Sequence, residues 1–503
     1  YFLAGKDCKP MNFSNSTTDK TESLKDTKTL ANQWESIDWS KVEHEVNRLQ
    51  TRIAKATANG GRNKAKRLQY LLTHSFLAKA HAVRKVTTNK GKNTSGVDKK
   101  LWSTSASKMK AVLSLTDKHY RAKPLKRVYI TKKGKNKKRP LGIPTMYDRA
   151  MQTLYALALE PIAETKADTI SFGFRRGRSA KDACEQIFCV LARKCSPTWI
   201  LEGDIKGCFD NINHEWLQCN IPMDKRIMKQ FLKSGFIYEG KLFPTETGSP
   251  QGGAISSLYA NMTLDGLEKV IQDKYHRNSK GNIENHYRAK TKVNLVRYAD
   301  DFIITANSKE TAEELKGVVS EFLESRGLRL SEEKTIITHI NDGFDFLGWT
   351  FRKFKGKLIV KPSKSSIKSL IRKCSTIILK EGKASTQSDL IRRLNQVIRG
   401  WTNYHKHVVA SQAFSYVNNT LYHLLHLWAK HRHPNKSKWW RLNRYWHAKD
   451  GKPWVFMTDD YTLINLRRIK IVRHPKLQIL KTPFLDKKYF IKRKMKLHML
   501  VAA

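Results

Sequence analysis

Tyr298-Ala299-Asp300-Asp301 places two adjacent carboxylates between two runs, Asn294–Arg297 and Phe302–Ala306, that read as apolar strands, so the pair is expected at the tip of a β-hairpin. Two like charges held that close repel unless a cation compensates them, and a divalent metal does so. The alternative is a solvated turn, since Asp is a common turn former. Asp459-Asp460, with no apolar strand on either side, reads that way. A third carboxylate upstream makes the difference. From Trp199 to Asn213 an apolar stretch ends at Asp204, with Phe209 five residues further on, and this stretch is expected to be the neighbouring strand. Nucleotidyl transfer uses two metal ions about 3.5–4 Å apart, one to activate the attacking hydroxyl and one to hold the triphosphate and the leaving oxygen. On this reading Asp204 and Asp300 bridge two Mg²⁺ ions (Mn²⁺ can substitute), Asp301 supports the site, and the main-chain carbonyl of Ile205 completes a shell. Asp210 is left out, as a helix-start residue.

Other elements must hold these residues in place. Residues up to about Gln33 are polar and read as disordered. Val42, Val46, Leu49 and Ile53 then recur at helical spacing, and a second helix is expected over Arg62–Val86, followed by a glycine-rich basic loop, Asn89–Val97. Val128 to Arg139 reads as a strand, a basic turn and a return strand. Beyond Phe351 the pattern is helical again. Ile367, Leu370, Ile371, Cys374 and Ile378 share one face, then Leu390, Leu394, Val397, Ile398 and Trp401 another, with Thr386-Gln-Ser-Asp389 as a capping box. Val408–Ala429 lacks Asp, Glu, Lys and Arg, but its polar residues and helical spacing suit a buried helix rather than a membrane span.

Composition narrows the partner. A net charge of +51 with pI near 10.1 lies far from an ordinary soluble enzyme and implies a polyanion. Seven cysteines without a CxxC pair or a disulfide framework indicate a reducing compartment. From Arg432 onward nineteen Lys or Arg against four Asp are interleaved with Trp439, Trp440, Tyr445, Trp446 and Trp454, a mixture that suits nucleic acid.

The blocks around Asp204 and Asp300-Asp301 are joined by five more in order: Arg139-Pro-Leu-Gly-Ile-Pro-Thr145, Ser171-Phe-Gly-Phe-Arg-Arg-Gly-Arg-Ser179, Gly248-Ser-Pro-Gln-Gly-Gly253, Leu328-Arg-Leu-Ser-Glu-Glu-Lys-Thr335 and Phe344-Asp-Phe-Leu-Gly-Trp349. Together with Arg399-Gly-Trp-Thr-Asn-Tyr404, this series resembles the reverse transcriptases encoded by group II introns, also called maturases.

The resemblance implies an α/β right-hand polymerase. Its parts would be a disordered N-terminus (1–33), a helical N-terminal extension (34–98), fingers and palm with antiparallel sheet (99–361), a three-helix thumb or maturase domain (362–433) and a basic DNA-binding region (434–503). It implies that Arg139, Lys132 or Lys133, Gln251 and Gly252 contact the incoming deoxynucleoside triphosphate. Phe209 would lie beneath the sugar and exclude a 2′-hydroxyl, and Lys334 would protonate the departing pyrophosphate. Lys64, Lys66, Arg67, Arg175, Arg176, Arg392, Arg393, Arg399, Lys438, Arg441 and Arg444 are the candidate contacts to intron RNA, target DNA and the RNA–cDNA duplex.

The expected protein is a monomer or homodimer of the bacterial cytoplasm or an organelle. It copies RNA into DNA, assists splicing and supports intron mobility by target-primed reverse transcription. No cysteine follows Cys374, so an HNH endonuclease with cysteine pairs is not expected. Two other readings are a splicing factor with a vestigial polymerase, and a domesticated enzyme serving phage defence or CRISPR spacer uptake. The intact carboxylates oppose the first, and Arg399–Tyr404 opposes the second.

Overall fold

The computed structural model describes residues 18–131, 138–278, 280–284, 291–449 and 451–502. Two compact units emerge, one from the chain up to Ala167 with Gly207–Thr263, the other from Asp168–Lys206 with the chain from Leu264 onward.

In the first unit, the apolar face of helix Trp39–Ala58 packs on the long helix Met146–Lys166. Gln50, rather than Leu49, turns into that core, and its side-chain amide donates to the Leu157 carbonyl at 2.8 Å. The single helix expected over Arg62–Val86 is two, Arg62–His74 and Phe76–Thr88, with Ser75 extended between them. The Thr73 hydroxyl donates back to the Gln69 and Tyr70 carbonyls, and the Ser75 N–H closes the first helix on the Leu72 carbonyl at 3.2 Å. Thr18–Glu35, read as disordered, is a helix packed on helix Ser105–Ser114. Tertiary contact supplies what its polar composition does not. Strands Leu125–Thr131 and Lys138–Ile143 pair antiparallel, with Thr131 opposite Lys138, as the fingers hairpin requires, and a short hairpin, Phe236–Tyr238 with Lys241–Phe243, extends the sheet. The basic turn between the first two strands, with Lys132 and Lys133, lies outside the described residues.

The second unit is built on a four-stranded antiparallel sheet in the order Asn294–Tyr298, Asp301–Ala306, Trp199–Asp204, Ile336–His339, with helices Ala180–Leu191 and Lys309–Glu324 packed on it. A three-stranded meander, Phe344–Phe346, Trp349–Phe354 and Lys357–Pro362, leads into the three expected helices, Lys364–Ser375, Gln387–His405 and Ser411–Arg432. The first runs on as a wider π-turn through Glu381. Thr386 caps the second through the Asp389 N–H at 3.2 Å. Tyr416 and Leu427 reach solvent, so the third is amphipathic rather than buried all round. No helix among the described residues is long and apolar enough to cross a membrane, and the six described cysteines are free.

Behind Trp349 lie His405 and His407, 1% and 9% exposed, with Trp349 stacked on Tyr404 at 4.5 Å. Burial first, then the charge of Lys181, pushes His405 down to about 4 and His407 down to about 3. A histidine kept neutral by folding binds its proton in the unfolded chain first. Its contribution to stability is therefore complete above pH about 6.5 and declines as pH falls toward the folded values, by up to about 1.4 kcal/mol per pH unit for each ring. Carboxyls that folding raises, Asp301 and Asp265 among them, act in the opposite sense over the same range, so the readout is a difference: between pH 7 and 5, urea unfolding of the parent is expected to lose more stability, or gain less, than that of His407→Gln, by up to about 1.4 kcal/mol per pH unit. Equal slopes in the two proteins would mean that His407 is solvated.

Candidate active site

Asn294–Tyr298 and Asp301–Ala306 form a hairpin with Tyr298 directly opposite Asp301, leaving Ala299 and Asp300 as a two-residue turn. Ala299 has φ +58°, a conformation an L residue adopts only when its surroundings impose it. The surroundings are the loop Ser171–Ser179. Gly173 lies so close that a Cβ on it would sit 2.4 Å from the Ala299 nitrogen, and the Phe172 N–H donates to the Arg297 carbonyl at 2.9 Å. Arg297, within a run read as apolar, is a fully buried cation. Its guanidinium is 2.5 Å from Asp265 and also reaches the Ala299 carbonyl at 3.4 Å. Burial pushes the Asp265 carboxyl up, and Arg297 pulls it back.

The third carboxylate arrives by strand pairing. Trp199–Asp204 runs antiparallel to the second hairpin strand, with Gly203 opposite Phe302 and Asp204 opposite Asp301. The Phe302 ring occupies the space of a Gly203 Cβ, at 2.2 Å, so only glycine permits this register beside Asp204. The Leu328–Thr335 block is stitched alongside by the Ser331 N–H to the Asp204 carbonyl at 2.8 Å and the Lys206 N–H to the Arg329 carbonyl at 3.0 Å, bonds that leave the Ile205 carbonyl unused. Lys334 thereby sets its ammonium 2.5 Å from Asp204, and that hydrogen bond holds its pKa above the usual lysine range.

Partial burial, then the charges of Asp300 and Asp204, push the Asp301 carboxyl up to about 7. The residue still reaches solvent, so crowding of like charge, rather than loss of water, is what a cation would relieve. Three hard oxygen donors in that state suit a divalent ion, although among the described residues no three His, Cys, Asp or Glu side chains converge as a ready-made cage.

Of the nucleotide-binding candidates, Arg139, Phe209, Gln251 and Gly252 lie in the first unit, where the main chain links their segments. The Gly142 N–H, on the strand that carries Arg139, donates to the Gln251 carbonyl at 2.8 Å, and a Cβ on Gly252, at φ +115°, would strike the Gly142 carbonyl at 2.7 Å. The Ser249 N–H donates to the Phe209 carbonyl at 2.6 Å. Asp210, in the first turn of the short helix Cys208–Asn211, accepts from the Gln251 amide at 3.3 Å, a role its place after Phe209 did not disclose.

Of the basic candidates, Lys64, Lys66, Arg67, Arg176, Arg399, Lys438 and Arg444 are exposed. Arg175 is instead turned inward, 7% exposed, with its guanidinium bonded to the carbonyls of Asp168 and Ser171 at 2.6 and 3.1 Å. Arg392 and Arg393 are ion-paired with Asp389 and Glu381. Arg441 donates to the His433 and Lys436 carbonyls, which leaves it partly committed to the end of its neighbouring helix. Asp459-Asp460 lies in an exposed turn. The missed pair, Arg297 and Asp265, carried one local signal, a charged residue inside an otherwise apolar strand.

Three family descriptions match in order: the N-terminal domain of reverse transcriptase over residues 34–115, reverse transcriptase (RNA-dependent DNA polymerase) over 130–351, and the group II intron maturase-specific domain over 367–446. With the carboxylate hairpin and its partner strand, they place the chain in the family of group II intron-encoded reverse transcriptases and maturases. It is similar to the group II intron-encoded protein LtrA of Lactococcus lactis, 34% identical over 58% of this chain and 57% of that protein, and to protein YkfC of Escherichia coli, 32% identical over 60% of this chain and 87% of that protein. The chain thus spans little more than half the length of the Lactococcus relative. Among solved structures, telomerase from Candida albicans superposes with a TM-score of 0.36 at 12% identity over 66% of this chain and 65% of that one, a likeness too loose to bear on function.

Proposed function

We propose that this chain is the RNA-directed DNA polymerase of a group II intron and that it also helps the intron RNA to fold and splice. The observation that carries the reading is Asp204 opposite Asp301, with Asp300 in the adjoining turn. Two Mg²⁺ ions held by Asp204, Asp300, Asp301 and the Ile205 carbonyl would supply charge neutralisation at the triphosphate and a more acidic primer hydroxyl. Lys334, whose ammonium stands 2.5 Å from Asp204, would give its proton to the departing pyrophosphate. Arg139, Gln251 and Gly252 hold the deoxynucleotide, and Phe209 meets its sugar. Phe209→Val is then expected to raise the ratio of ribonucleotide to deoxynucleotide kcat/KM by about tenfold or more, the scale of a pocket differing by a methylene or two. An unchanged ratio would make Phe209 a packing residue.

Splicing of a group II intron is RNA chemistry, so the protein's part is to neutralise phosphates and hold the folded RNA. Polymerisation and splicing assistance should therefore fail separately. The double variant Asp300→Ala, Asp301→Ala is expected to lose cDNA synthesis and keep splicing at low Mg²⁺ near wild type. Removing charge at Lys64, Lys66, Arg67 and Arg399 is expected to impair splicing and flatten the salt dependence of RNA binding by about one unit of slope per lost phosphate contact. A splicing time course with the cognate intron decides. Failure of the carboxylate variant to promote splicing while binding RNA normally would overturn this division.

A further inference from the structure

From its charge, the chain beyond Arg432 reads as a nucleic-acid-binding tail. Part of it is committed elsewhere. His474 and Arg493, 8% and 6% exposed, converge on Asp182: His474 Nε2 is 2.9 Å from Asp182 Oδ1, and Arg493 Nη2 donates to the same oxygen and to the Pro475 carbonyl at 3.2 Å. Asp182 sits in the first turn of helix Ala180–Leu191 and also accepts from the Ser179 N–H and hydroxyl, both at 2.8 Å. A carboxylate buried this deeply is costly unless its partners are fixed, and two of them come from a segment roughly 300 residues away in sequence.

The contacts continue along the loop Ser171–Ser179. Arg178 donates to the Ile479 carbonyl at 2.9 Å. The Phe490 ring packs over Gly177 where a Cβ would lie 2.7 Å from it, and the Arg176 guanidinium stands 5.6 Å from the ring of buried Phe484. The same loop, through Gly173 and Phe172, backs the Tyr298–Asp301 turn and imposes the left-handed Ala299.

We infer that Val472–Arg493 clamps the loop Ser171–Ser179 and, through it, positions the catalytic turn, with Arg493 and His474 as positioning residues. The catalytic readout of this inference rests on the polymerase reading above; its structural readout does not.

The test uses the full chain carrying Arg493→Ala, Arg493→Lys or Phe490→Leu. Three quantities are measured: amide hydrogen exchange in the peptide spanning Arg297–Phe302, the affinity for a primed RNA template, and the maximal single-turnover rate of deoxynucleotide incorporation. Arg493→Ala is expected to speed exchange at the turn and to lower the maximal rate by up to about 10²-fold, the scale of a remote misplacement, with template affinity within about twofold of wild type. Arg493→Lys is expected to restore part of both. If Arg493→Ala does not fold, Phe490→Leu, which leaves the Asp182 cluster intact, carries the same expectation at smaller size. Unchanged exchange at the turn in every folded variant overturns the clamp. So does loss of template affinity with the maximal rate retained, the mark of a nucleic-acid-binding arm. Should the unmodified chain incorporate nothing, the polymerase reading fails by itself and the exchange data alone decide the clamp.

Discussion

Asp300→Ala and Asp204→Ala are each expected to lower deoxynucleotide incorporation on a primed RNA template by several orders of magnitude while the protein stays folded. A metal-held carboxylate acts on charge that develops in the transition state, an effect worth several kcal/mol, and each factor of ten in rate corresponds to about 1.4 kcal/mol. Stability should move the other way. Asp204 and Asp301 face each other across one strand pair, Asp300 is next in the chain, and their mutual repulsion is part of what pushes Asp301 up to about 7. Removing Asp300 relieves part of that repulsion, so the thermal midpoint of Asp300→Ala is expected to match or exceed the parent's, whereas Asp204→Ala also gives up the contact to Lys334. The measurement pairs Mg²⁺-dependent primer extension with thermal unfolding. Near-normal extension by a folded Asp300→Ala or Asp204→Ala protein would remove both residues from the metal site.

The second large effect concerns a residue that touches no substrate. Asp265→Ala leaves Arg297 buried without its carboxylate, at a position 0% exposed, and loss of one partner from a buried pair typically costs about 3–5 kcal/mol. Adding Arg297→Met should return much of that stability, because a long unbranched apolar side chain fills most of the space and needs no partner. It should not return the polymerase rate, because Arg297 also holds the Ala299 carbonyl in the Tyr298–Asp301 turn. Urea unfolding of the two single variants and the double variant, alongside primer extension, separates these effects. A cost below about 1 kcal/mol for Asp265→Ala, the range of solvated ion pairs, would mean that water reaches Arg297.

The sequence by itself determined the three candidate carboxylates and the strands that present them. The short continuous apolar runs ending at Asp204 and flanking Asp300-Asp301 have the length and composition of buried strands, and strand pairing then leaves few ways to bring the carboxylates together. The helical face Leu390, Leu394 and Ile398 and the Thr386 cap were legible for the same reason, being local patterns set by backbone geometry. Charge, by contrast, was legible only as a total. Arg175 and Arg176 are neighbours of one type, yet the first is buried on main-chain carbonyls and the second is exposed. Arg399 faces solvent while Arg393 is neutralised by Glu381.

Tertiary structure alone decided which cations pair inside. Asp265 meets Arg297 across 32 residues, and Asp182 meets Arg493 across 311. Neither separation leaves a period in the chain, because whether a buried charge is tolerable depends on a partner delivered by another element, and desolvation acts on distance in space rather than along the sequence.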